Sequence, residues 1–170
     1  MSVYLVVRVL HILCGALWLG FAVFSAWFLM PAVEDAGPDA AKVMAGLERR
    51  GLTAAVPIVA TITILAGIWL YWRYTAGFSP EVSRSHAGMT FGMGGVTGIL
   101  AFIIGAATVS RNMVKARKLM MRAAGLPEGE ERRGLMVAAA RHRKTGRTAT
   151  SVVAVLLVIT VALMGVALYI

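Results

Sequence analysis

Four long runs of apolar residues constrain this chain more than anything else in it. Val3 to Val33 carries one charged residue, Arg8, over about 30 positions, where a helix needs only ~20 to cross the hydrocarbon of a bilayer. Leu52 to Phe78 carries Arg73 alone, while Ala87 to Ser110 and Thr148 to Ile170 carry no charge. A backbone in lipid must satisfy its own N–H and C=O groups, so runs of this kind read as α-helices. With 59% hydrophobic and 15% charged residues, the chain lies outside the range of ordinary soluble domains. The fold expected is all-α: an integral membrane four-helix bundle, a single domain over residues 1–170 with spans at about 3–33, 52–78, 87–110 and 148–170.

The first run is too long for the apolar core of a signal peptide, and Pro31-Ala32 closes it without a small-x-small cleavage site. Leu13 stands before Cys14 where a lipoprotein signal requires a small residue. The run is therefore read as a span that tilts to fit.

Charge sets the orientation. Of the 17 lysines and arginines, fourteen fall in two connections, Glu34 to Gly51 and Arg111 to Arg147. Only Arg8, Arg73 and Arg84 remain for the opposite side. The positive-inside rule puts both connections in the cytoplasm and both termini outside, in a bacterial inner membrane with a periplasm beyond it. The aromatic-rich end of the second span, "WLYWRY" (Trp69 to Tyr74), then lies at the outer headgroups, level with Tyr4 and Tyr169. The net charge of +9 thus needs no nucleic acid to explain it, since basic and aromatic residues are not interleaved as in a nucleic-acid groove. The expected partners are the bilayer, anionic lipid headgroups on the cytoplasmic face and subunits of a membrane complex.

Residues 111–147 have a pattern of their own. Met113, Ala116, Met120 and Ala124 recur at helical spacing while Arg111, Lys115, Lys118 and Arg122 take the other face. "GLPEGEE" breaks the pattern, with Gly125 as a cap, Pro127 near a new first turn and Glu128, Glu130 and Glu131 where a helix start favours acids. A second amphipathic helix from about Glu130 to Arg143 completes a cytoplasmic hairpin between helices three and four. In the third span, the pairs Gly88/Gly92 and Gly94/Gly98 are spaced to let two backbones approach, which reads as helix packing inside the monomer, with a homodimer face as the alternative, and Thr90 and Thr97 are available for interhelical hydrogen bonds.

His11 is the candidate for chemistry, because an ionisable residue inside a span is costly and marks a functional site by default. Tyr4, Arg8, His11, Cys14 and Trp18 form one stripe on the first helix. His86, Met89 and Met93 form another on the third, opening to the same side. Thiolate and thioether groups select Cu(I), and imidazole ligates copper or haem iron, so the candidate metal ligands are His11, Cys14, His86, Met89 and Met93, and the candidate haem ligands His11 and His86. The plain alternative is that Cys14 and the methionines pack, that His86 is an interfacial residue and that His142, in "ARHRKTGR", is solvated. No carboxylate lies in any span and no nucleophile motif occurs, so a non-enzymatic protein is expected.

"LHILCGALWLG", with a histidine seven residues before a tryptophan and then Gly20, Phe24 and Pro31-Ala32-Val33, resembles the first helix of the CopD-like copper-resistance membrane family and its uncharacterised four-helix relatives. "AGIWLYWRYTAGF" and the glycine-rich third helix are similar to those relatives too. The resemblance implies a bacterial inner-membrane four-helix bundle in which His11 is the family's first-helix histidine, near copper or haem b. The related membrane protoporphyrinogen oxidases bind haem b through such a histidine and need a lysine in a later helix. This chain has no lysine in a span. Two further roles stay open: an accessory subunit of a larger membrane complex, and a haem- or quinone-linked membrane oxidoreductase.

Overall fold

The computed structural model describes residues 3–37 and 40–170. Among these residues the chain is helical with no strand. The first span is α1 (Val3–Phe24), a π-helical turn (Ser25–Leu29) and α2 (Met30–Asp35), continuous as one rod of 33 residues. A short amphipathic helix, α3 (Ala40–Arg49), follows, and then α4 (Leu52–Tyr74), a single turn α5 (Pro80–Ser83) and α6 (His86–Ile104). A second π-helical turn (Gly105–Ser110) carries α6 into α7 (Arg111–Ala124), and α8 (Glu130–Val166) closes the chain. Four of these rods are long and apolar enough to cross a membrane, which is the make-up of a multi-pass membrane protein.

Local sequence explains the breaks. Gly51 takes φ +82°, in the left-handed region glycine tolerates, and turns α3 into α4. Ser85 caps α6, its hydroxyl accepting the Gly88 N–H at 3.1 Å. Glu130 and Glu131 occupy the first turn of α8, where the helix dipole favours acids.

The four rods pack in a ring: α1 on α4, α4 on α6, α6 on α8, and α8 back on α1. Their shared core is narrow and built of small residues. Ala22, Ala26, Ala60, Ala101 and Ala154 sit with Trp18, Val153 and Leu157, and the Trp18 ring meets Phe102 edge-on at 6.3 Å. Leu13, Phe28, Leu65 and Met93 point outward with more than half their surface open. A hydrophobic coat around an alanine-rich centre is what lipid-solvated helices show, since close backbone approach replaces the hydrophobic effect as the source of packing energy.

Aromatic rings gather at one end: Tyr4 beside Trp69, Tyr71 beside Phe78, and Tyr74 edge-on to Phe91 at 5.2 Å. The other end carries the two basic connections, joined by an Arg117–Glu48 ion pair at 2.8 Å and by another between Arg147 and Glu34. Both connections therefore lie at the same end of the bundle.

The structure departs from the sequence expectation at three places. The second helix ends at Tyr74 rather than Phe78, because the Thr75 hydroxyl bonds back to Tyr71 O and accepts Phe78 N–H while Ala76, Gly77 and Phe78 all take positive φ. The helix expected from Glu130 to Arg143 does not stop short of the fourth span. It runs unbroken for 37 residues into the membrane, about 55 Å at 1.5 Å per residue, and ends at Val166 rather than Ile170. Helix α3 lies in a connection read from sequence only as a basic loop. Ala116 and Ala123 of α7 are buried against α8, where Ala139, Gly146, Val153 and Thr160 recur at sevens. A seven-residue repeat is the period of left-handed helix pairing, and it continues without a break from the hairpin into the membrane.

Candidate functional site

His11 sits on α1, about 12 Å along the helix from Val3. Its half-buried ring turns toward α4, where Nδ1 lies 2.9 Å from the backbone carbonyl of Thr63. Gly67, one turn further along α4, makes room for it: a Cβ there would come within 2.8 Å of the imidazole Cε1. The Thr63 carbonyl is also the helical acceptor position for the Gly67 N–H, and a carbonyl oxygen has two lone pairs to share. Thr63 directs its own hydroxyl to Val59 O, at 2.8 Å, leaving its carbonyl to the histidine.

A carbonyl only accepts, so Nδ1 is the donor, and the Nδ1–H tautomer is the one that places the lone pair on Nε2. Among the described residues Nε2 has no hydrogen-bond partner, and it is not fully enclosed. An imidazole whose far N–H is held by a backbone carbonyl has the outer-shell arrangement that orients a metal-binding histidine.

The remaining candidates lie elsewhere. Cys14, one turn on from His11, is a free thiol with 8% of its surface exposed. His86 begins α6 in an exposed position, and Met89 and Met93 are exposed further along the same helix. The sequence reading matched the His11 stripe with the His86, Met89 and Met93 stripe of the third helix. The structure turns His11 to α4, because Gly67 provides the space and the α6 glycines receive other side chains. Among the described residues no three His, Cys, Asp or Glu side chains group as metal ligands.

Those α6 glycines serve contacts within the chain. Gly92 lies under the Tyr71 hydroxyl, which donates to Gly88 O at 3.2 Å. A Cβ at Gly88 would overlap the Val82 carbonyl. Gly94 faces Met164, and Gly98 faces the Thr160 methyl. Of the two threonines read as interhelical, Thr97 pairs with Thr160 at 2.8 Å, while Thr90 bonds to His86 O in its own helix.

Two groups escaped the sequence reading. Thr63 and Gly67, a carbonyl and a gap four residues apart, are the receptor for His11; the signal is a glycine inside an apolar helix, which demands a reason. His142 is not solvated as expected. It is half-buried, with Nδ1 at 2.7 Å from Asn112 Oδ1, while the Asn112 amide donates to Thr108 O at 2.8 Å. A lone asparagine facing a lone histidine between two amphipathic helices was the available clue.

No family model, curated protein or solved structure matches the chain.

Proposed function

We propose that this chain is a CopD-like multi-pass protein of a bacterial inner membrane, with both termini on the periplasmic side, that binds haem b through His11. The observation that carries the reading is the hydrogen bond from His11 Nδ1 to the Thr63 carbonyl, which leaves Nε2 without a partner among the described residues, in the half of the bundle that the charge pattern reads as outer. Haem iron can be held by a single protein imidazole, and it is the group that one oriented histidine fits best. Copper is the second candidate. It requires several soft ligands, and Cys14 is the only other one on the same stripe.

In this role Thr63 and Gly67 fix the ring plane and the tautomer, while the surrounding apolar side chains keep water from the bound group. Haem would supply one-electron chemistry, and the chain itself places no carboxylate in a span, so carrying or sensing the group suits it better than turnover. The test is the absorption spectrum and metal content of the purified protein, produced with haem and with copper supplied. A Soret band in wild type that disappears in His11→Ala supports haem. Copper retained in place of it shifts the reading to copper, and neither group in wild type overturns both.

An accessory role has one observation in its favour. On the hairpin, Met121, Met136 and Val137 are about half exposed or more, outside the spans. Methionine-rich surfaces adapt to partners, so this face suits another subunit of a membrane complex. Co-purification from native membranes tests it, and a protein that runs alone there counts against it.

A further inference from the structure

Where α6 passes through its second π-helical turn, α7 begins and α8 runs alongside, a shallow groove of about 460 Å³ opens on the flank of the bundle. Its walls grade from apolar to polar. Ile104, Ala149 and Val152 are its apolar lining; Thr108 and Thr148, near the ends of their spans, and Thr145 and Lys144, just beyond, are its polar lining on the hairpin side. Lys144 precedes the fourth apolar run by one helical turn, about 6 Å, and so stands at headgroup level.

Two details make this more than a gap between helices. Threonine hydroxyls in helices usually bond back to their own backbone, as Thr145 does to Arg141 O. The hydroxyls of Thr108 and Thr148, both lining the groove, have no such bond among the described residues. Lys144 is exposed and, like most of the hairpin's bases, belongs to no ion pair among the described residues; it is the cation that lines the groove. The groove therefore presents one uncommitted cation and two uncommitted hydroxyls above an apolar floor open along its side.

We propose that this groove holds one anionic phospholipid of the hairpin-side leaflet, with an acyl chain against Ile104 and Val152 and its phosphate on Lys144 and the Thr108 and Thr148 hydroxyls. Charge argues for this occupant: the hairpin is basic, so a second copy of this chain would bring like charge to the groove, whereas an anionic headgroup complements it. The openness of the groove suits a chain lying in the bilayer rather than a small enclosed ligand. The site is separate from His11, and its test does not depend on haem.

The experiment uses the full chain in nanodiscs of equimolar phosphatidylcholine and phosphatidylglycerol, with native mass spectrometry of the released protein reading which lipid stays bound. One phosphatidylglycerol per chain is expected in wild type. Lys144→Gln lowers its retention about five-fold, the effect of one cation near the headgroups. Val152→Trp, which fills the apolar floor, lowers it as well. Lys118→Gln, on the exposed face of α7, leaves it unchanged. Equal retention of the two lipids, equal losses in Lys144→Gln and Lys118→Gln, or a lipid-free dimer each overturns the proposal. Should Lys144→Gln lose its helical circular dichroism, Thr148→Val, which removes only a hydroxyl, reads the same contact.

Discussion

At the scale of the residue, the fold turns on a few close fits. His11 and Gly67 form one: Gly67→Ala sets a methyl against the imidazole, and overpacking of this kind costs about 1–3 kcal/mol. We expect Gly67→Ala to displace the ring from Thr63 and to shift or abolish any Soret band without removing the histidine. The absorption spectrum of the variant checks this against wild type. A strained fit lies at Ala76 and Phe78, with φ of 50° and 65°. Left-handed backbone costs a side-chain-bearing residue about 1–2 kcal/mol, some of which glycine returns through its freedom in the unfolded chain. Ala76→Gly is therefore expected to raise the thermal midpoint in detergent by a few degrees, measured by circular dichroism. Sequence pointed to His11 because an ionisable group in a lipid-soluble run stands out. It gave no view of which helix the ring would meet, since the answer depends on the side chain that Gly67 lacks, in a helix far along the chain.

At the scale of the element, the pairing of α7 with α8 rests on small residues. Met113 lies over Gly146 so closely that a Cβ there would come within 2.8 Å of its terminal methyl. The methionine end can move, so Gly146→Ala should be mild, whereas Gly146→Leu should separate the helices at a cost of about 1–3 kcal/mol. Limited proteolysis at the 125–129 turn would show it, cleavage of the leucine variant being faster than that of wild type. Asn112 and His142 brace the same pair. The amphipathic halves of this hairpin were legible from helical periodicity, as were all four apolar rods. The unbroken run of α8 was not, because a change from polar to apolar composition looks like a boundary although the backbone hydrogen bonds pass through it. Helix α3 was missed for a related reason: it is short, and its pattern sits among residues whose charge drew the reading toward a loop.

At the scale of the whole molecule, the chain has a basic end and an aromatic end. The ion pairs Arg117–Glu48 and Arg147–Glu34 close the basic end, but both are exposed and each is worth at most about 1 kcal/mol. The bundle is held by its helix contacts and by lipid. In the proposed orientation, a cysteine placed at Leu126 is expected to resist a membrane-impermeant maleimide in intact spheroplasts, and one at Ser79 to react, in a Cys14→Ala background. The opposite labelling would reverse the orientation.

The π-helical turns at Ser25–Leu29 and Gly105–Ser110 both lie toward the basic end of their rods. A hydrogen bond that reaches back five residues instead of four accommodates one more residue per turn, so each is a place where the helix has absorbed extra length. Removing one residue there would let ordinary α geometry resume with the flanking phase kept, whereas removing one elsewhere in the rod would rotate all that follows by about 100°. In the first rod that rotation would swing Glu34 away from Arg147, and in the third it would carry Asn112 off His142. These turns keep the phase of the two rods. Tolerance for losing a residue is therefore expected at these two positions, where a change of length can be taken up without altering the direction in which the extramembrane parts face.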